Sequence, residues 1–312
     1  MGAVMGSRPV TTTRVGAGLR GRRRRRDLGW VLFMAPGSLV FGVFELYPLA
    51  RTFLLSLFAW DGFTDPRFIG TRNFEEAFAS PHFWQAAVHS LVYALGTSFT
   101  KMTLGLAIAL LLDRALRGRA IYRSVIFAPA LMSFVAVGLL WTLLFNPSLG
   151  PATSLPAPVG LVDPQLGLLG DPDRALASII FVDSWKWVGY HAVLFLAGLS
   201  LVSRTLVEAA LIDGANNWQR FRYVLLPAIH QVLVINVVVA LAGAMNSFDL
   251  VYIMTKGGPY RSTEIMLTFM YSTAFTQNRF GYAAAIACLL FAMVGLMTLA
   301  VLRIGRSEPD AA

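Results

Sequence analysis

Hydrophobic positions in this chain gather into six long runs rather than alternating with polar ones. The runs lie at about 28–50, 84–112, 121–145, 175–200, 224–248 and 281–303. Crossing the hydrocarbon core of a bilayer takes roughly 20 apolar residues in a helix, and each run is that long. Lipid offers backbone amides no partner, and the runs lack the alternation of a membrane barrel. The pattern therefore predicts an all-α membrane protein with six transmembrane helices.

The overall composition agrees with a membrane protein. Hydrophobic residues make up 56% of the chain, charged residues only 14%, and the mean hydropathy is +0.62. A soluble domain carries charge on about a quarter of its residues. The one cysteine, Cys288, lies in an apolar run, so the chain offers no pair for an internal disulfide and we expect this residue to pack as a small hydrophobe.

Basic residues are distributed unequally between the two sides of the predicted spans. One side carries 17 of them, including the run Arg22–Arg26, and the other carries seven. The positive-inside rule assigns the richer side to the cytoplasm, together with both termini. A cytoplasmic anchor that sets the orientation of the first span explains the arginine run better than a lipid-binding or nucleic-acid patch does. A cleaved signal peptide is disfavoured because the first apolar run is too long for one.

The predicted organisation follows from these spans and charges. It comprises a basic cytoplasmic tail at 1–27, a six-helix transmembrane domain at 28–303 and a cytoplasmic tail at 304–312. Within the domain, the connection 201–223 faces the cytoplasm. The long connections at 51–83, 146–174 and 249–280 face the opposite side.

The cytoplasmic connection predicts a polar helix-turn-helix. A helix leads up to Asp213, and Gly214 ends it because glycine adopts the left-handed conformation without steric cost. Asn216, followed three residues later by Gln219, is a plausible cap for a second helix. The apolar face of that second helix is formed by Trp218, Phe221 and Leu225. We expect this helix to lie along the membrane surface and a soluble partner to dock on the loop.

Polar residues inside the spans form two stripes. Asp183 and Lys186 are three residues apart and can neutralise each other, and charges in a span usually face a protein interior or an aqueous path. The candidate pathway residues are Asp183, Lys186, Trp187 and Tyr190 on the fourth span, with Leu194 on the same face, and Asn236, Gly243, Asn246 and Ser247 on the fifth. Aromatic faces and hydrogen-bonding groups together suit a sugar. The alternative is that these residues only hold helices together. Lys101 and Glu45 are weaker candidates.

Signatures of catalysis are missing from the sequence. The histidines have no metal-ligand spacing; they are His82, His89, His191 and His230. No glycine-rich phosphate loop with its lysine is present, and Gly257-Gly258-Pro259 lacks both the lysine and the following helix start. The sequence predicts no metal site, no catalytic site and no ATP hydrolysis by this chain alone.

The loop resembles, almost position by position, the EAA loop of binding-protein-dependent ABC importer permeases. The resemblance runs over about twenty residues, Glu208-Ala-Ala-Leu-Ile-Asp213-Gly214-Ala215-Asn-Asn-Trp218-Gln-Arg-Phe221-Arg-Tyr-Val-Leu-Leu226-Pro227. In that family the loop is a coupling helix held in a cleft of a cytoplasmic ATPase. The resemblance implies a polar contact with the ATPase for Glu208, close packing for Ala209, Ala210 and Ala215, and the rigid turn for Gly214. Asp213 belongs to the same predicted coupling set.

A second stretch resembles the carbohydrate permeases of the maltose-transporter type. It runs from Phe248 to Pro259 as FDLVYIMTKGGP and continues with Ser262-Thr263. The Gly-Gly-Pro form is typical of the first permease of a pair. Similar residues occur where that subfamily has them, at Tyr47-Pro48, Gly70, Asn73-Phe74 and Asn146-Pro147. The chain lacks the large inserted domain of the maltose permease and looks more like the compact glycerol-phosphate, trehalose and oligosaccharide permeases.

The resemblance implies a type I ABC importer permease fold in a bacterial inner (plasma) membrane and sugar uptake by alternating access. Its expected partners are a second, different permease, two ATP-binding subunits and an extracytoplasmic solute-binding protein. ATP and Mg would be used by the partner ATPase, with no cofactor bound by this chain. Three alternatives remain. The same architecture could carry glycerol phosphate, an amino acid or a peptide; a secondary transporter or channel would be gradient-driven; a membrane enzyme would turn over without partners.

Overall fold

The computed structural model describes residues 33–113, 118–150 and 166–305. The predicted tails lie outside the described residues, except for 304–305. The helices are α1 Phe33–Leu55, α2 Arg72–Ala79, α3 Pro81–Asp113, α4 Arg119–Leu131, α5 Phe134–Leu144, α6 Gly167–Gly170, α7 Ala175–Ser200, α8 Arg204–Ile212, α9 Asn217–Ala228, α10 His230–Met245, α11 Phe248–Thr255, α12 Met266–Tyr271 and α13 Phe280–Gly305. Two short strands, β1 Phe58–Ala59 and β2 Arg67–Phe68, pair antiparallel with Phe58 opposite Phe68.

The prediction of an all-α membrane protein is confirmed. Four unbroken helices are long and apolar enough to cross a membrane, namely α1, α3, α7 and α13. Two bent pairs, α4 with α5 and α9 with α10, bring the number of spans to six when each pair counts as one. The bends are 94° and 73°, so each of the spans predicted at 121–145 and 224–248 contains a sharp break in its helix.

Each bend has a local cause. At the first, Pro129 precedes Met132, whose backbone is extended, and the Ser133 hydroxyl caps α5 by accepting from the Ala136 amide at 3.2 Å. At the second, Pro227 removes one helical donor and follows a π-helical turn at Phe221–Leu225. Proline and π-helical turns are the usual origins of sharp kinks.

The described residues form two units, divided between Thr52 and Phe53. The first contains most of α1, whose hydrogen bonding is π-helical over Gly42–Leu46 and includes Glu45. The second contains the helices from α2 onward.

Helices α3 and α7 form the centre of the second unit. They approach closely at Gly105, where an added Cβ would lie 3.3 Å from the Ala192 amide nitrogen and from the His191 Cβ. Small residues permit such close approach between membrane helices. The larger apolar core around them includes Tyr93, Val182, Leu250, Met266 and Ile286, all nearly or fully buried.

Elements predicted for one side of the membrane meet at one end of this unit. The Gly281 amide, at the start of α13, donates to the Trp60 carbonyl at 3.2 Å. At the opposite end His230 Nε2 donates to the Gly305 carbonyl at 2.9 Å. The region 249–280, predicted as a connection, contains α11 and α12, because its apolar residues Leu250, Val251 and Met266 enter the core.

Candidate functional site: the α8–α9 loop and the central cavity

The end of α8 is a Schellman motif centred on Gly214. Its φ is +80°, its amide donates to the Leu211 carbonyl at 3.1 Å, and the Ala215 amide donates to the Ala210 carbonyl at 2.9 Å. These are the two bonds that define the motif, and they satisfy helix carbonyls that otherwise lack partners. The predicted helix stop at Gly214 is confirmed.

Helix α9 begins with the predicted cap. The Asn216 side chain accepts from the Gln219 amide at 2.9 Å, and the Gln219 side chain accepts from the Asn216 amide at 2.8 Å. The two bonds form a reciprocal capping box. The Trp218 and Phe221 rings lie 5.6 Å apart on one side of the helix. Helix α9 therefore has a fixed start and leaves α10 at a steep angle.

The α8–α9 loop exposes apolar side chains that this chain does not cover. No residue of α8 is buried, and Ile212 is 87% and Trp218 67% exposed. Among the predicted coupling residues, Glu208, Ala209, Asp213 and Gly214 are exposed, and Ala210 and Ala215 are half-buried. A rigid turn carrying exposed apolar residues is a typical surface for a protein partner.

Asp183 pairs with Lys101 of α3, and the expected mutual neutralisation of Asp183 and Lys186 is wrong. Lys101 Nζ contacts Asp183 Oδ2, and the two side chains are 3% and 2% exposed. The pair is thus buried between the two central helices. Sequence periodicity placed Asp183 beside Lys186 on one helix but could not identify a partner on a neighbouring helix.

Lys186 instead caps the broken end of α4. Its ammonium group donates to the carbonyls of Pro129, Ala130 and Met132 at 3.2, 3.2 and 2.5 Å. A lysine has three N–H donors, so all of them are used. The positive charge also meets the negative end of the α4 dipole. It lies 5.0 and 4.9 Å from the ring centroids of Phe134 and Trp187.

Two further predicted pathway residues bond to the helix framework. Asn236 accepts from His191 Nδ1 at 2.6 Å and donates to the His191 carbonyl at 3.3 Å. Ser247 bonds to the Tyr93 hydroxyl at 2.9 Å. Both are buried, at 1% and 4% exposure. They join α10 and the segment after it to the central helices.

The other four predicted pathway residues line a cavity of about 410 Å³ between α3, α5, α7 and α10. They are Trp187, Tyr190, Gly243 and Asn246; the remaining lining residues are Lys101, Phe134, His191, Val239 and Ala240. The volume lies within the usual range for small-molecule sites. Asp183, Lys186, Asn236 and Ser247 lie outside this lining.

Sequence reasoning did not place Phe134 or His191 in this cavity, and it gave Lys101, which also lines the cavity, only as a weaker candidate. Phe134 reaches the cavity only because the chain breaks after Leu131, and its ring lies 6.1 Å from that of Trp187. His191 adjoins Tyr190 in sequence, which was the available signal. Over the described ranges, no three His, Cys, Asp or Glu side chains come together as metal ligands.

A second cavity, of about 450 Å³, lies at the end that holds the β-hairpin. Its lining includes Trp60, Asp61, Arg67, Asn73 and Arg279. The Asp61 carboxylate accepts from the Thr64 and Phe63 amides at 2.8 and 3.0 Å, and these bonds lower its pKa to about 2. The carboxylate is therefore ionised under all ordinary conditions.

Comparison with known proteins identifies a family. Residues 101–307 match the family described as "Binding-protein-dependent transport system inner membrane component". A probable ABC transporter permease protein, YurN of Bacillus subtilis, is 34% identical over 89% of this chain and 97% of its own length. The lactose transport system permease protein LacF of Rhizobium radiobacter is 32% identical, over 88% and 93%.

Two further comparisons extend this result. The trehalose/maltose transport system permease protein MalF of Thermococcus litoralis is 31% identical over 92% of this chain and 96% of its own length. A crystal structure of a bacterial alginate ABC transporter, in complex with an alginate pentasaccharide-bound periplasmic protein, aligns with a TM-score of 0.79. It is 19% identical and covers 91% of this chain and 96% of that chain, so it shows a shared fold.

Proposed function

Because the chain belongs to the family of binding-protein-dependent transport system inner membrane components, we propose that it is the permease subunit of an ATP-driven sugar importer. It is a multi-pass protein of the inner membrane. The observation that carries the proposal is the α8–α9 loop, whose Schellman turn and capping box rigidly present exposed apolar side chains.

The loop supports coupling to a separate ATPase. Its turn is fixed by hydrogen bonds within the chain, so a force applied to α8 is transmitted to α9 and through Pro227 to α10. Glu208 and Asp213 supply polar contacts, and Ala209 offers a small surface for close packing. We assign ATP and Mg to that partner, since the sequence of this chain contains no glycine-rich phosphate loop with its lysine.

Sugar is the solute that the relatives and the cavity together support. Two of the relatives named above transport lactose and trehalose or maltose. In this chain Trp187 and Tyr190 offer aromatic faces to a sugar ring, and Asn246 offers an amide to its hydroxyls. Aromatic stacking combined with hydrogen bonding is chemistry suited to carbohydrate.

The remaining partners follow from the same assignment. A second permease would complete the pore beside the exposed Gly243 and Asn246, and an extracytoplasmic binding protein would deliver solute to the β-hairpin end. The crystal structure of the alginate ABC transporter contains a complex with a periplasmic protein. Both termini and the loop lie in the cytoplasm in this proposal, as the 17 basic residues on that side favour.

Transport would proceed by alternating access. Closure of the two ATPase subunits would draw the α8–α9 loops together and tilt α10, one wall of the central cavity. The cavity would then open toward the binding protein. ATP hydrolysis would close that side and open the cavity to the cytoplasm again. In this sequence of steps Gly214 acts as a rigid link and not as a hinge.

The test is affinity purification of the tagged chain from its native membrane in mild detergent, with mass spectrometry of the proteins that co-purify. The wild-type chain should retain a second permease and an ATPase with a nucleotide-binding motif. Gly214→Val should lose the ATPase and retain the second permease. A β-branched residue is poorly tolerated at positive φ, whereas asparagine is well tolerated there.

Gly214→Asn is the matched control and should retain the ATPase. No other atom lies within 4 Å of a Cβ built at Gly214, so the two variants differ in backbone strain and not in clashes within the chain. A wild-type chain that purifies alone and still transports would contradict the proposal.

A further inference from the structure

Resting on the proposed sugar-permease function, we infer that Asp183 determines charge selectivity in the central cavity. By neutralising Lys101 it makes the cavity accept uncharged sugars in preference to anionic ones. Asp183 does not line the cavity, so it affects specificity indirectly, by compensating the charge of Lys101.

Lys101 is the one charged side chain among the described residues that line the cavity. Its ammonium group faces a counter-ion supplied by α7, and both side chains are almost fully buried. A buried charge without a partner is costly, so the pair is held together by the absence of competing water. Because the ammonium and carboxylate groups are in contact, their charges largely cancel for an entering solute.

The second lysine nearby does not upset this balance. All three N–H groups of Lys186 donate to carbonyls at the end of α4, so none is left for a solute. Its charge faces a helix C-terminus, which carries roughly half a negative charge. The rings of Phe134 and Trp187 lie beside the ammonium group and add cation–π contacts.

The rest of the lining favours neutral hydroxyls. His191 donates Nδ1–H to Asn236, which leaves Nε2 of the neutral ring as an acceptor. Trp187, Tyr190 and Phe134 supply apolar faces. A carboxylate or phosphate in this cavity would lose its water and find no cation that is not already paired.

Three variants test the inference, because two of them change the charge in opposite directions and the third combines both changes. Asp183→Asn leaves Lys101 without a counter-ion, Lys101→Gln leaves Asp183 alone, and the double variant is neutral again. The protein is the assembled transporter in detergent, without its binding protein. The probes are lactose, maltose and trehalose, each paired with its derivative in which one ring is oxidised to a uronate.

The measured quantity is the ratio of affinities for each neutral sugar and its uronate. The wild type should prefer the neutral sugar. Asp183→Asn should shift the ratio toward the uronate by about tenfold or more, which a single uncompensated charge in a partly buried site can supply. Lys101→Gln should shift it in the opposite direction, and the double variant should restore the wild-type ratio.

The outcomes separate this inference from the function on which it rests. Neutral binding with an unchanged ratio in Asp183→Asn, or a wild type that prefers the uronate, overturns the inference alone. Binding of no probe by the wild type overturns the sugar assignment and the inference with it. If Asp183→Asn fails to assemble, Lys101→Gln and the double variant still decide, because equal ratios in those two would contradict the inference.

Discussion

The α8–α9 loop and the buried centre around Lys186 both contain polar and charged residues, but the polar groups of the two regions find their partners in different ways. In the centre, Lys101, Asp183 and Lys186 are at most 3% exposed, and each finds its partner on another helix of the same chain. In the loop, the backbone is satisfied locally and apolar side chains such as Ile212 remain uncovered.

The difference shows which parts of this permease are complete without partners. A buried charge must be balanced within the chain before the helices can pack, because membrane and core both lack water to solvate it. The polar groups of an exposed loop stay in water, so they need no such balance within the chain. Substitutions in the centre should therefore affect stability first, and substitutions in the loop should affect assembly first.

Lys186→Met should have the largest effect on stability. It leaves the Ala130 and Met132 carbonyls without the donor that Lys186 supplies, whereas the Pro129 carbonyl keeps its bond from the Met132 amide, and each group left unsatisfied costs roughly 1–3 kcal/mol. We expect a loss of about 3 kcal/mol or more, measured as a fall in the melting temperature of the purified chain. Lys256→Met makes the same chemical change at an exposed position and should cost less than about 0.5 kcal/mol. Equal effects of the two variants would contradict the capping role.

Gly189→Ala should have the next largest effect. A Cβ there would overlap the Ile126 carbonyl oxygen, so α4 would have to move away from α7. Overpacking of this kind costs about 1–3 kcal/mol. Gly295→Ala is the control, since no atom lies within 4 Å of a Cβ built at that position. Thermal unfolding in detergent should show a loss for the first variant and no loss for the second.

Ile212→Ser should leave stability nearly unchanged and weaken assembly. The side chain is 87% exposed, so its removal should alter unfolding by less than about 0.5 kcal/mol. If it packs into the ATPase, its loss should reduce ATPase retention about tenfold, as truncation of an interface anchor commonly does. Phe63→Ser removes an 84% exposed side chain at the opposite end and should retain the ATPase. Full retention of the ATPase by Ile212→Ser would show that this side chain does not contribute to the interface.

Glu264→Gln should have the smallest effect on the stability of the folded chain. It extends the comparison to a buried charge outside the spans. Burial raises the pKa of Glu264, and the nearby Arg261 and His82 lower it by less. Because the folded pKa lies above the ordinary 4.5, this group's contribution to stability is present below pH 4.5 and is lost as pH rises through the folded value. The variant should therefore be more stable than the wild type at neutral pH and equal to it in acid.

Asp61→Asn provides the control of opposite sign. Hydrogen bonds from Thr64 and Phe63 lower the pKa of Asp61 to about 2, so its contribution is present above the ordinary 3.8 and is lost as pH falls through the lowered value. The variant should be less stable than the wild type at neutral pH. Melting temperatures of both variants across the acid range check the two signs together.

The sequence by itself determined the features that depend on neighbours within a few residues. Six apolar runs indicated six spans, Gly214 indicated the end of α8, and Asn216 with Gln219 indicated the start of α9. Each of these rests on hydrophobic length or on bonds between residues at most five apart, so a pattern in the chain is enough.

Only the tertiary structure decided which polar groups meet. Lys186 reaches a carbonyl 57 residues away, Asp183 selects Lys101 on α3 instead of its own helical neighbour, and Phe134 joins the cavity through a 94° bend. Periodicity assigns a residue to a face of its helix but not to the helix that packs against that face. Desolvation then requires every buried charge to find a partner across that interface, and the geometry of packing determines which one it finds.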